Sequence, residues 1–169
     1  MHGPAPIRQA QPSDAAEISA LIRRCIRETL AQVQDAQHIE QQYKVWDAAH
    51  VERLMMWDDR TMLVACVEGV IAGTACLYRD SVRKVFVVPD RHGQRLGQQL
   101  VRHIEHLACE RGVTALNIQS NLGAAGFYVR LGYAVVGQKT VGSELFMLMR
   151  KDLNPGWLDG RSRHFAYYC

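Results

Sequence analysis

A chain of 169 residues and 19.1 kDa, 48% hydrophobic and 22% charged, holds enough apolar material for one packed domain and too much for a disordered one. Its net charge of +3 comes from basic residues spread along the chain, which argues against a nucleic-acid footprint and leaves room for a small anionic ligand. No apolar run reaches the length of a membrane span, and "MHGPAPIRQAQPSD" lacks the apolar core of a signal peptide. The five cysteines (Cys25, Cys66, Cys76, Cys109, Cys169) are scattered, with no CxxC pair. Four of them lie within apolar surroundings and read as small core residues of a cytoplasmic protein, with no membrane and no nucleic acid among its partners.

Read in order, "PIRQAQ" is a short strand, and Ser13 or Asp14 is placed to cap a helix carrying Ile18, Leu21, Ile22, Cys25 and Ile26 at helical spacing. Residues 36–57 continue helically, with Ile39, Tyr43, Trp46, Val51, Leu54 and Met55 as apolar members. "TMLVACVEGVIAGTACLYRD" changes period and predicts two strands turning at Glu68-Gly69. Residues 82–88 predict a strand, 94–111 a helix ended by Gly112, and 113–119 a strand. Such a βαβ unit makes its two strands parallel neighbours. A short helix over "GAAGFYVRLG" and strands "YAVVGQ" and "SELFMLMR" complete one domain, residues 1–151; residues 152–169 form a tail, turn-rich and then aromatic.

The step from strand to helix in "VFVVPDRHGQRLGQQLV" combines positive charge with small residues. A helix start leaves backbone N–H groups without partners and is the positive end of the helix dipole, so it suits phosphate. Gly93 and Gly97 let an anion come close to the backbone, and Arg91, His92 and Arg95 add charge, with Arg83 and Lys84 nearby. A diphosphate ligand is implied. Neither GxxxxGK[ST] nor GxGxxG occurs.

The same segment resembles the acyl-CoA-binding motif of the GNAT N-acetyltransferase superfamily, (Q/R)-x-x-G-x-(G/A), which falls on residues 92–97. Gly97 matches, while His92 stands for Gln/Arg and Arg95 for the first glycine. Downstream, "NLGAAGFYVRLGY" resembles the family's N-x-x-A-x-x-x-Y-x-x-x-G-(F/Y), with Asn121, Ala124, Tyr128, Gly132 and Tyr133 all in place. The resemblance covers residues 6–151. It implies an α/β (α+β) GNAT fold: a central mixed, mostly antiparallel sheet of about six or seven strands with a splayed parallel pair, flanked by about four helices.

The resemblance also implies roles. The backbone of Val85, Phe86 and Val87 would pair with the pantetheine arm of acetyl-CoA, a cosubstrate that needs no metal, and an N–H near Val87 would polarise the thioester carbonyl. Gly93, Gln94, Arg95, Leu96, Gly97 and Gln98 would surround the pyrophosphate, and Asn121 would hold the cosubstrate, cap the next helix, or both. Tyr128 would protonate the departing thiolate. The plainer reading of the valines and of Phe127 is core packing. The glutamate some members use as base has no counterpart in "ALNIQS", which leaves Asp80, Glu144 or water. One of Tyr43, Trp46 and Trp57 is expected to line the acceptor cleft. His103 and His106 sit at i and i+3 without a third ligand and read as a solvated helix face.

The function implied is transfer of an acetyl group from acetyl-CoA directly to a primary amine of a small molecule or protein, by a monomer or homodimer. A non-catalytic acyl-CoA-binding or sensor module is the alternative, and an interaction domain retaining only the fold is a third.

Overall fold

The computed structural model describes residues 5–30, 36–142 and 144–153. The aromatic tail therefore lies outside the described residues. In chain order the elements are β1 (Ile7–Gln9), α1 (Ala15–Cys25), α2 (Ala36–Val45), α3 (Ala48–Met55), β2 (Arg60–Val67), β3 (Val70–Tyr78), β4 (Ser81–Val87), α4 (Leu96–Glu110), β5 (Ala115–Asn121), α5 (Leu122–Arg130), β6 (Ala134–Val141) and β7 (Glu144–Asp152). One seven-stranded mixed sheet runs β1-β2-β3-β4-β5-β7-β6. Among the described strands only β4 and β5 pair in parallel, as the βαβ reading requires.

The sheet separates two apolar cores. On one face α4 and α5 pack through Leu100, Val101, Ile104, Tyr128 and Leu131 against Leu63, Ala75, Leu77, Leu116 and Ile118. On the other, Ile18 and Ile22 of α1, Ile26 just after it, Trp46 between α2 and α3, and Val51 of α3 pack against Met62, Val64 and Ile71. The stripe expected on α1 is buried throughout. One ion pair is sealed into the α4 side. Lys151 on β7 donates to both carboxylate oxygens of Glu105 at 2.9 Å and to the Leu131 carbonyl at 2.8 Å.

The structure differs from the sequence reading in detail. Residues 36–57 form two helices because Asp47 turns extended (φ −77°, ψ 164°) and its Oδ1 accepts the His50 N–H at 2.6 Å, capping a new start. Among the described residues, five α-helices therefore flank the sheet. Asp14 does not cap α1 with its side chain: the carboxylate accepts the Gln11 N–H at 2.7 Å and pairs with Arg8 at 2.7 Å. β7 extends to Asp152 because Ala115 on β5 gives that residue a partner. The turn at Glu68-Gly69 is as expected, both residues being left-handed. No described helix is long and apolar enough to cross a membrane.

Candidate active site

β4 and β5 share a single paired position, Ser81 with Asn117, at one end of the two strands. Asp80 pins that end. Its carbonyl accepts the Asn117 N–H at 2.9 Å, and its Oδ2 accepts the Asn117 side-chain amide at 3.0 Å. Beyond it the strands diverge, and the β5 edge of residues 82–87 has no strand partner. Side chains on β4 alternate across the sheet: Val85 and Val87 pack toward α4, Phe86 toward α1 and α3. Packing holds the side chains while one backbone edge stays open, so a ligand able to pair like a strand fits there.

β4 is also bulged. Thr74 pairs with Phe86 and Cys76 with Arg83, so Lys84 and Val85 together oppose Ala75. Lys84 takes up the extra residue in the left-handed conformation, φ 55°. At the far end, the Val87 carbonyl is already engaged by His92 Nε2 at 2.9 Å and by the Cys25 thiol at 3.3 Å. The carbonyl half of the pairing expected at Val87 is thus occupied. His92, an odd residue in the motif, folds back to tie the loop to the strand.

The loop itself turns twice through left-handed conformations, at Gly93 (φ 80°) and Arg95 (φ 62°, ψ 12°). Arg95 stands where the family motif has glycine, and the backbone shows why glycine suits the position. α4 begins at Leu96, the Gln99 N–H closing on the Arg95 carbonyl at 3.0 Å. The N–H groups of Leu96, Gly97 and Gln98 consequently have no intrahelical acceptor. The Gln94 N–H points instead to the Arg91 carbonyl at 3.4 Å. No acidic residue lies in the first turn of α4, and the Arg95 guanidinium is exposed without an ion pair among the described residues. A pocket of about 690 Å³ adjoins the loop on the β2–β3 hairpin side. Gly97 works differently from expectation: a Cβ there would lie 3.3 Å from the Phe127 ring and 3.7 Å from Val87, so its smallness lets α4 seat against α5 and β4.

Across the gap, Asn121 ends β5 and caps α5, its Oδ1 accepting the Ala124 N–H at 2.8 Å. Its side-chain amide N–H groups are left for a ligand. Tyr128, on the inward side of α5, is buried beside Phe127 (ring centroids 4.9 Å apart) and Tyr133 (6.0 Å). Burial pushes its phenol up to about 12, so it holds its proton throughout the working range. Asp80, a candidate base, belongs to the closed end of the strand pair. Glu144 starts β7 at the opposite, open end, two residues from the partner of Asn121.

These features match those of known proteins. A family model described as acetyltransferase (GNAT) family aligns with residues 30–133, more than half of the chain. The chain belongs to the GNAT acetyltransferase family. A stretch of 69 residues is 35% identical to the peptidyl-lysine N-acetyltransferase YjaB of Salmonella typhimurium, covering 41% of this chain and 46% of that protein, so the match spans about half of the relative. The crystal structure of a GCN5-related N-acetyltransferase from Rhodopseudomonas palustris superposes with TM-score 0.79 at 26% identity, over 90% of this chain and 98% of that one. The PaiA N-acetyltransferase of Thermoplasma acidophilum, solved with coenzyme A, shares the fold with TM-score 0.75 at 17% identity, over 86% and 97%.

The GNAT frame also brings together residues that sequence reasoning did not assemble. A pocket of about 530 Å³ between α2, α3 and β4 is lined by Trp46, Trp57 and Leu54 and by His50, Arg60 and Lys84. Burial, then Arg53, holds the His50 imidazole below the usual histidine range. Tyr43 lies elsewhere, its ring between the guanidinium groups of Arg23 and Arg27 at 4.6 and 4.8 Å. The aromatic residues carried a signal in the sequence. Lys84 was expected beside the phosphate loop and lies in this pocket instead, because its direction depends on the bulge.

Proposed function

We propose that this chain transfers the acetyl group of acetyl-CoA to a primary amine. The observation that carries the reading is the open backbone edge of Val85, Phe86 and Val87, leading directly to the unpaired N–H groups at the start of α4. Pantetheine would hydrogen-bond along that edge, with the Val87 N–H rather than its occupied carbonyl available at the end. The diphosphate would meet the N–H groups of Gly93, Arg95, Leu96, Gly97 and Gln98, with Gln94 at the margin and the Arg95 guanidinium folded onto it. Asn121 would contribute its amide N–H while its oxygen continues to cap α5.

The amine nitrogen bonds to the acetyl carbon and the carbon–sulfur bond breaks. The departing sulfur takes a proton, and the nitrogen gives one up. Tyr128 enters this step protonated and donates to the sulfur; the proton shed by nitrogen restores it. Replacing Tyr128 by Phe keeps the ring and removes the donor. We expect kcat to fall about 10²-fold with CoA affinity nearly unchanged, because the bond forms mainly in the transition state. Release of CoA thiol and calorimetric titration with CoA measure the two quantities. Full activity in Tyr128→Phe removes that residue from the mechanism. Tight CoA binding without turnover on any amine supports the binding-module alternative.

A further inference from the structure

Resting on that transferase reading, we propose that the pocket between α2, α3 and β4 takes the acceptor and is built for a small amine that also carries a carboxylate on an apolar or aromatic body. The location follows from chain connectivity. Lys84 lines the pocket and directly precedes Val85, Phe86 and Val87, whose backbone borders the gap between the parallel strands. An amine held beside Lys84 lies next to the edge where the thioester would sit.

Charge supplies the selectivity. Among the described residues no aspartate or glutamate lines this pocket, whereas Lys84, Arg60 and His50 do. Lys84 Nζ rests 4.6 Å from the Trp46 ring and forms no ion pair among the described residues. Part of its surface reaches solvent, yet the protein packed around the ammonium, and then Arg83, hold its pKa below the usual lysine value. A cation partly covered by protein and given no carboxylate is open to an anion. The Arg60 guanidinium stacks on Trp57 at 4.4 Å and Tyr78 at 4.5 Å and already pairs with the Asp59 carboxylate at 3.7 Å, which leaves Lys84 as the cation without a carboxylate among the described lining residues. The bulge that turns Lys84 left-handed is a costly conformation, of the kind kept where a side chain must be aimed.

Shape supplies the rest. Trp57 is 53% exposed and Val45 54% exposed at the pocket rim, an apolar surface left uncovered for a bound molecule. Trp46 closes the floor, edge-on to both His50 and Phe86. A polycation such as a polyamine or an aminoglycoside would meet like charge here. A lysine side chain in an uncharged peptide would leave Lys84 unpaired.

The test uses the full chain with acetyl-CoA and pairs of acceptors differing in one group: phenylalanine, tryptophan, leucine and methionine, each against its amide. Spermidine and a neutral lysine peptide complete the set. The amides are the less basic amines, so a preference for the acids cannot come from easier deprotonation. We expect kcat/KM for at least one acid to exceed that of its amide by about tenfold or more, the scale of one hydrogen bond to a charged group. Lys84→Gln should bring that ratio close to one, and Lys84→Arg should keep it. The proposal is overturned if no acid is preferred to its amide, if spermidine or the peptide is the better acceptor, or if Lys84→Gln leaves the ratio unchanged. Calorimetric titration of the four acids into the CoA-loaded protein needs no turnover. Binding that Lys84→Gln abolishes upholds the pocket even if no amine is acetylated, in which case only the transferase reading fails. Absence of binding by all four overturns the pocket.

Discussion

At φ 62° and ψ 12° Arg95 occupies a conformation that costs an L-residue about 1–2 kcal/mol. Arg95→Gly removes that strain, and the extra freedom of glycine in the unfolded chain offsets about 0.5–1 kcal/mol of the gain. The free protein should therefore become more stable by about 0.5–1 kcal/mol, raising Tm by about 1–4 °C for a domain of this size. CoA binding should move the other way. Loss of a guanidinium bond to phosphate costs about 1–3 kcal/mol, or about 5- to 150-fold in Kd. Arg95→Ala separates the two effects, since alanine retains the left-handed strain and loses the charge: Tm should barely move while CoA binding weakens as in the glycine variant. Calorimetric melts of the free protein and CoA titrations at low and moderate salt give both numbers, and the salt dependence should shrink in both variants. A lower Tm for Arg95→Gly would refute the strain argument. Tighter CoA binding by Arg95→Gly would refute the phosphate role and make Arg95 an obstruction.

Two further outcomes concern the scaffold. Lys151→Met strips both oxygens of Glu105, which is 1% exposed, of their cation and should destabilise by about 3–5 kcal/mol in urea melts, with Glu105→Gln in the same chain recovering much of the loss. If Lys151→Met costs less than about 1 kcal/mol, in the range of surface pairs, the pair is not the buried one described. The Arg8 guanidinium, assisted by the Gln11 N–H, holds the Asp14 carboxyl below the usual carboxylate value. Because the folded pKa is depressed, this contribution is present above the unfolded value of about 3.9 and is lost as pH falls through the folded one. Stability measured against pH should therefore fall less steeply below about pH 4 in Asp14→Asn than in the wild type; parallel acid limbs would show that Asp14 contributes nothing.

Much of the molecule was legible in the sequence because its cues are local. The helical spacing of Ile18, Leu21 and Ile22, the glycine at the 68–69 turn, and the strand–helix–strand order around residues 82–119 each act over a few residues, and each predicted element formed. The motif around Asn121 was legible for the same reason: an Asn at the start of a helix caps it wherever that helix docks. The break at Asp47 was missed although it too is local, because Trp46 and the apolar residues on either side continue a helical pattern through it.

What the tertiary structure decided depends on contacts between distant segments. The sequence by itself determined that a strand would hand over to a helix at a small, basic loop, and that a parallel partner would lie one helix downstream. It could not determine that this pair would meet only at Ser81 and Asn117, since that end is pinned by Asp80 bonding Asn117, a residue 37 positions further along the chain. Nor could it determine that Lys84 would turn toward Trp46 and His50. The bulge that aims it exists only because β3, a strand ten residues back, offers one residue where β4 presents two.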